Sequence, residues 1–266
     1  MWKYIKLGVQ VAHPFMACRR AAKKCLKKGT PDKKEFYFIC QKRIRQAFKR
    51  GLSIDFDIQG MENIPKKGNF LLVSNHQSNL DPIILCGLMP RPISFVTKKE
   101  NMNLPLIPPI IEALGSVPLD RENLKQEVKA IMQVEKILQS DPEATFAIYP
   151  EGTRSRDSEH RVAPFKPGSL KPAFRADCPI VPVAVFGSFR TLDKKFRMTH
   201  YPVQIHFLKP VDPSEFSIHS TVEVAEEVER RVREEVDKER EQDKLLMEKN
   251  RKYIRTKKLP ILFRGV

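Results

Sequence analysis

His76 and Asp81 lie five residues apart in Asn75-His76-Gln77-Ser78-Asn79-Leu80-Asp81-Pro82. A carboxylate that reaches an imidazole fixes its orientation and stabilises its charged form. The imidazole can then take a proton from a weak nucleophile such as a hydroxyl. Both residues also have plainer readings. Asp81-Pro82 reads as a helix start, with Asp at the N-cap and Pro at the first helical position. A single loop histidine is more often structural than catalytic. Ser78 is a second nucleophile candidate, but no Gly-x-Ser-x-Gly elbow surrounds it, so it reads as a polar loop residue.

The elements that must position this pair can be read around it. Phe70 to Ser74 is a short apolar run, a buried strand that feeds the His76 loop. Thr145 to Tyr149 is another, and it empties into Pro150-Glu151-Gly152-Thr153-Arg154. Gly115 to Leu119 ends in Asp120-Arg121, and Ile180 to Val185 is a further apolar strand. Residues 53–58 alternate like a half-exposed strand, residues 93–97 form another, and residues 203–208 alternate like an edge strand. Pro182 cannot donate a ladder bond and marks an edge or a bulge. Leu124, Val128, Ile131, Val134 and Leu138 follow helical spacing and predict a helix over 123–140 with one buried face. Residues 167–176 predict a shorter helix. The prolines at 105, 108 and 109 exclude a long helix over 101–114. That segment covers the core, lines a lipid channel or touches a membrane. Val222, Ala225, Val228, Val232 and Val236 form a narrow apolar stripe on a charged helix, and beyond Glu239 the stripe fades into a solvated helix or tail. Strands alternating with helices imply an α/β sandwich with a largely parallel sheet flanked by helices, its functional loops gathered at strand ends.

Four blocks in this order resemble the glycerolipid acyltransferase family that includes 1-acylglycerol-3-phosphate acyltransferases. They are His76-x4-Asp81, Asp120-Arg121, Glu151-Gly152-Thr153-Arg154 and Val181-Pro182-Val183. The resemblance implies transfer of a fatty acyl group from a thioester of CoA or acyl-carrier protein to a lysophospholipid hydroxyl. With lysophosphatidate as acceptor, the product is phosphatidate. Another lysophospholipid or glycerol-3-phosphate is the close alternative, and a catalytically silent lipid-surface protein is the alternative of another class. The resemblance implies His76 as base and Asp81 as its partner, with no cofactor and no metal. For the acceptor phosphate it points to Arg121, then Arg154, then Lys98, since a guanidinium matches phosphate with two parallel bonds. An ion pair with Asp120 or Glu122 is the competing reading of Arg121. Glu151, Gly152 and Thr153 fall at the family's acceptor-binding positions. Gly152 lets backbone approach the substrate, while the negative Glu151 suits a glycerol hydroxyl or the alignment of Arg154.

The net charge of +16 is concentrated at one end. Residues 1–50 hold 15 Lys or Arg against Asp32 and Glu35, a net of +13. Such asymmetry points to an anionic partner. No nucleic-acid-binding motif is present. Trp2, Tyr4, Ile5, Phe36, Phe38 and Ile39 are threaded among the lysines and arginines, on either side of Thr30-Pro31-Asp32. That pattern predicts two basic amphipathic helices on an anionic membrane surface. The plainer alternative packs them on the catalytic body. The expected organisation is residues 1–50 as membrane-interface helices, 51–220 as the catalytic domain and 221–266 as a charged helix and tail. No run approaches the ~20 apolar residues of a membrane span, and no secretory signal is visible. Five cysteines without paired spacing read as reduced thiols. The expected place is the cytoplasmic face of a membrane, peripheral or monotopic.

Overall fold

The computed structural model describes residues 2–27, 33–48, 52–120, 123–155, 157–193, 198, 200–216 and 220–253. In chain order its helices and strands are α1 (Trp2–Lys27), α2 (Lys33–Ala47), β1 (Ile54–Gln59), β2 (Phe70–Ser74), α3 (Asp81–Leu88), β3 (Ser94–Lys98), α4 (Pro108–Ala113), β4 (Val117–Leu119), α5 (Leu124–Ser140), β5 (Thr145–Ile148), α6 (Lys171–Ala176), β6 (Ile180–Phe186), β7 (Tyr201–Phe207), α7 (Pro213–Phe216) and α8 (Thr221–Tyr253). They fall into two compact units. One comprises Ser53–Asp81 with Glu135–Val266, the other Met1–Leu52 with Pro82–Val134.

The larger unit is built on strands in the order β1-β7-β6-β2-β5. β2 runs parallel to β5 on one side and to β6 on the other, β7 is antiparallel to β6, and β1 is parallel to β7. β2, β5 and β6 are buried throughout. Their near-continuous apolar runs are what a parallel sheet covered on both faces requires. Val73 stands opposite Ile148 at the ends of β2 and β5. The chain therefore leaves both strands at the same end of the sheet, which brings the segments after residues 74 and 148 together. The α/β fold with a largely parallel sheet is as the sequence predicts.

Two details differ from the sequence reading, and of the two readings of Pro182, edge or bulge, the structure bears out the bulge. β7 is an interior strand, flanked by β1 and β6. Its edge-like alternation comes from Gln204 and His206, which are buried against α8. Gln204 Nε2 donates to the Glu239 carbonyl at 2.7 Å, and His206 Nδ1 lies 2.8 Å from Glu235 Oε1. β6 is interior too, and Pro182 sits at a bulge. Leu208 N–H donates to the Pro182 carbonyl while Ile180 pairs with Val211, so one strand takes an extra residue there. Finally, the apolar stripe of α8 ends before Glu239 as read, but the helix beyond is not simply solvated: its buried face goes on through Glu239 and Asp243, the latter in a two-pronged pair with Arg190.

In the smaller unit the two N-terminal helices form as expected. α1, α2 and α4 share a core of Cys18, Ala22, Cys25, Phe36, Cys40 and Ala113. α2 also closes the end of α3. Tyr37 Oη donates to the Cys86 carbonyl at 3.1 Å, and Arg45 Nε and Gln41 Nε2 donate at 2.6 Å to Gly87 and Met89. Those carbonyls have no partner within the helix. The same two helices leave Met16, Leu26, Phe38 and Ile39 exposed. The proline-rich segment yields only the six-residue α4, and β3 and β4 pair in parallel. α5 spans the predicted helix and buries the predicted stripe over its C-terminal part, but not at Leu124 and Val128. Ala130, Val134 and Leu138 are buried, whereas Leu124 is 76% exposed and Val128 and Met132 are 51% exposed. All five cysteines are free and buried. Among the described residues no helix is long and apolar enough to cross a membrane.

Candidate active site

The loop after β2 is pinned residue by residue. Asn75 turns to β6, where its side chain exchanges two bonds with Val185, donating to the carbonyl at 2.9 Å and accepting the N–H at 2.8 Å. Gln77 turns to the end of β6. Its Oε1 accepts the Gly187 N–H at 3.0 Å, and its Nε2 faces the His160 carbonyl at 3.5 Å. Between these two braces lies His76.

His76 Nδ1 is 2.8 Å from Asp81 Oδ2. The imidazole stacks on the Tyr149 ring with centroids 4.2 Å apart and 23° between planes. An ionised carboxylate only accepts, so the pairing puts the ring proton on Nδ1 and the lone pair on Nε2. Nε2 has no partner among the described residues. Asp81 Oδ2 also accepts the N–H groups of Gln77 and Ser78, both at 2.8 Å. Its other oxygen, Oδ1, is sealed from solvent and unpartnered. The side chain therefore faces back into the loop rather than capping α3, which corrects the N-cap reading. The Ser78 hydroxyl accepts the Leu80 N–H at 3.2 Å, a role within the loop.

The segment after β5 clips the His76 peptide from both sides. Glu151 Oε1 accepts the His76 N–H at 2.6 Å, and the Ser155 N–H donates to the His76 carbonyl at 2.8 Å. Glu151 Oε2 accepts the Ala163 N–H at 2.9 Å. Burial pushes the Glu151 carboxyl up to about 7, against the pull of those two N–H bonds. Pro150 and Glu151 form a turn closed by Gly152 N–H on the Tyr149 carbonyl at 3.0 Å. Gly152 has φ 69°, and a Cβ there would approach the Lys166 side chain to 3.2 Å. The left-handed backbone is the stronger demand for glycine.

The remaining predicted residues are less tightly held. Thr153 and Arg154 are exposed on the clip, and neither side chain has a polar partner among the described residues. Lys98, in the smaller unit, is exposed at the end of β3 and pairs with Glu100 at 2.7 Å. Asp120 lies 3.4 Å from Lys99. Arg121 and Glu122 fall outside the described residues. The structure thus brings His76, Asp81 and Glu151 together. It adds Asn75, Gln77, Tyr149 and Ser155, which sequence reasoning missed. The signal for two of them was present: Asn75 and Gln77 are amides that bracket His76 at alternate positions. Among the described residues no three His, Cys, Asp or Glu side chains converge to hold a metal ion.

Comparison with known proteins converges on one family. Residues 55–186 match the family model described as Acyltransferase. The crystal structure of the 1-acyl-sn-glycerophosphate (LPA) acyltransferase PlsC from Thermotoga maritima superposes with a TM-score of 0.65 at 32% identity. The match covers 77% of this chain and 81% of that one. A probable 1-acyl-sn-glycerol-3-phosphate acyltransferase of Mycoplasma pneumoniae is 33% identical over 64% of this chain and 67% of its own length. The Mycoplasma genitalium protein of the same description is 32% identical over 58% of this chain and 60% of its own length. The chain thus matches about three fifths to two thirds of these two relatives.

Proposed function

We propose, from the premise that this chain belongs to the acyltransferase family, that it transfers a fatty acyl group from an acyl thioester to the free hydroxyl of lysophosphatidate, giving phosphatidate. The observation that carries the proposal is the His76–Asp81 pair, with Nδ1 held at 2.8 Å by a buried carboxylate. Nε2 is the base. It takes the hydroxyl proton as the oxygen attacks the thioester carbonyl. Asp81 keeps the tautomer and offsets the charge on the ring. The tetrahedral intermediate collapses with loss of the thiolate, which receives the proton back from Nε2. No protein nucleophile is consumed.

Glu151 is assigned a positioning role, because both its oxygens are engaged inside the protein. That differs from the glycerol-hydroxyl contact expected from the sequence. Gly152 supplies the left-handed turn that places the clip, and Thr153 stands beside it, open to the acceptor. Arg121, Arg154 and Lys98 are assigned to the acceptor phosphate. The donor is a thioester of CoA or of acyl-carrier protein. The protein works as a peripheral membrane enzyme, held by the basic α1–α2 pair with its exposed Met16, Leu26, Phe38 and Ile39.

The test is a transfer assay with purified protein, lysophosphatidate and each donor in turn, with phosphatidate read by mass spectrometry. Monoacylglycerol serves as the acceptor without phosphate. Wild type should discriminate strongly against it, and Arg121→Ala should discriminate less, by roughly ten- to hundredfold for a charged hydrogen bond. Acylation of other lysophospholipids but not lysophosphatidate would move the acceptor assignment. Absence of transfer to any acceptor from either donor would overturn the function.

A further inference from the structure

The spacing of Leu124, Val128 and Met132 puts all three on one row of α5, and that row is exposed. At 100° per residue, Lys125, Lys129 and Lys136 fall on the adjoining row. These lysines are exposed as well, and none has an ion pair among the described residues. The two acids of the helix, Glu127 and Glu135, are half-buried. α8 is built the other way. Its surface arginines are bound to its own glutamates, as in Arg230 with Glu227 and Glu234. An apolar row beside a row of unpaired cations is the pattern of a helix lying in a lipid interface. It suits a second copy of the chain poorly, because self-pairing of this face would bring the lysine rows together with only the half-buried Glu135 to meet them.

We propose that α5 is a second lipid contact, with Leu124, Val128 and Met132 set among acyl chains and Lys125, Lys129 and Lys136 on anionic headgroups, independent of residues 1–50. The inference rests on the reading of the protein as an enzyme of lipid surfaces, and it adds a defined contact to that reading.

The native cysteines are buried, so a thiol-reactive, polarity-sensitive dye can be directed to one introduced site. Full-length Val128→Cys and Gln133→Cys are labelled and mixed with phosphatidylcholine vesicles, with and without phosphatidylglycerol. Gln133 is exposed about 140° around the helix from Val128, beyond the lysine row, and serves as the control. The dye at 128 should shift to shorter wavelength and be quenched by spin-labelled acyl chains, only with phosphatidylglycerol and less at high salt. The dye at 133 should stay aqueous. Leu124→Gln with Val128→Gln should weaken vesicle binding by at least about tenfold, with turnover of detergent-dispersed acceptor unchanged.

If the protein sediments with vesicles while the dye at 128 stays aqueous, the α5 contact is wrong and the N-terminal anchor stands. A shift at 128 that needs protein concentration and no vesicles would assign the face to self-association instead. If nothing sediments, both membrane contacts fall, while acyl transfer to dispersed lysophosphatidate still decides the function by itself.

Discussion

From Asn75 to Asp81 the chain is fixed by bonds to β6, to the clip after β5 and to itself. Arg154 and Lys98, assigned to the acceptor, stand in solvent at the ends of long side chains. The two regions meet different demands. A base must reach one proton from one direction, and an error of 1 Å there can cost about a hundredfold in rate. A phosphate can be met from many directions by a flexible cation. The entropy of ordering that cation is then taken at binding, and it appears in KM rather than in the chemical step. On the proposed assignments, the difference teaches that rigidity is concentrated on the base and withheld from recognition of the acceptor.

The largest expected effect tests the rigid side. His76→Ala should lower kcat by about 10²–10⁴. The fold should stay intact, because the bonds to Glu151 and Ser155 use the backbone of residue 76. Circular dichroism and Tm check the fold, and near-normal turnover would remove His76 from the mechanism. Asp81→Asn should cost rate as well, on the order of a hundredfold. It should also destabilise, since an amide NH2 at the sealed Oδ1 position would be a buried donor without an acceptor, worth about 1–3 kcal/mol. Were Asp81 only a helix cap, asparagine would serve equally well. Urea unfolding therefore separates the two roles.

The flexible side should respond differently. Arg154→Ala should raise the acceptor KM roughly ten- to hundredfold, with little change in kcat, in donor KM or in Tm. A fall in kcat at saturating acceptor would mean that Arg154 acts on the transition state, and the contrast between the regions would weaken.

Much of the rigid region was legible from the sequence. The His76–Asp81 spacing at a strand exit, the Glu151 block at another and the parallel sheet that joins them all follow from apolar runs and their endings. The use of Glu151 was not legible, because a backbone N–H donor leaves no mark in the sequence. The edge reading of β7 failed because polar residues inside a sheet alternate just as solvent-facing ones do. Gln204 and His206 are polar for the sake of α8. On α5, apolar spacing alone could not show which apolar residues are buried. Val134 and Leu138 of the stripe are buried together with Ala130, yet Leu124 and Val128, which fit it as well, are exposed.

The smallest effect on rate is expected at Glu151, and it measures how rigidly the clip holds the loop. Above pH 7 the carboxylate accepts from both His76 and Ala163. Glu151→Gln replaces one acceptor with a donor and breaks one of those bonds. The Asp81 and Ser155 bonds to His76 remain, so turnover should fall no more than about tenfold. The pH dependence of stability is the sharper readout. In the folded protein the carboxyl keeps its proton up to about 7, against an ordinary value of 4.5. Between those values the folded state binds more protons than the unfolded chain, so stability falls as pH rises through the window and the loss is complete above it. A displacement of that size corresponds to about 3 kcal/mol. Glutamine does not titrate, so Glu151→Gln should lack this fall while carrying a constant cost of about 1–3 kcal/mol for the lost bond. Urea unfolding from pH 4.5 to pH 8 would show the two stability curves converging as pH rises. Parallel curves would mean that the two N–H bonds outweigh burial and hold Glu151 ionised throughout. The clip would then be a charged latch at every pH in the range.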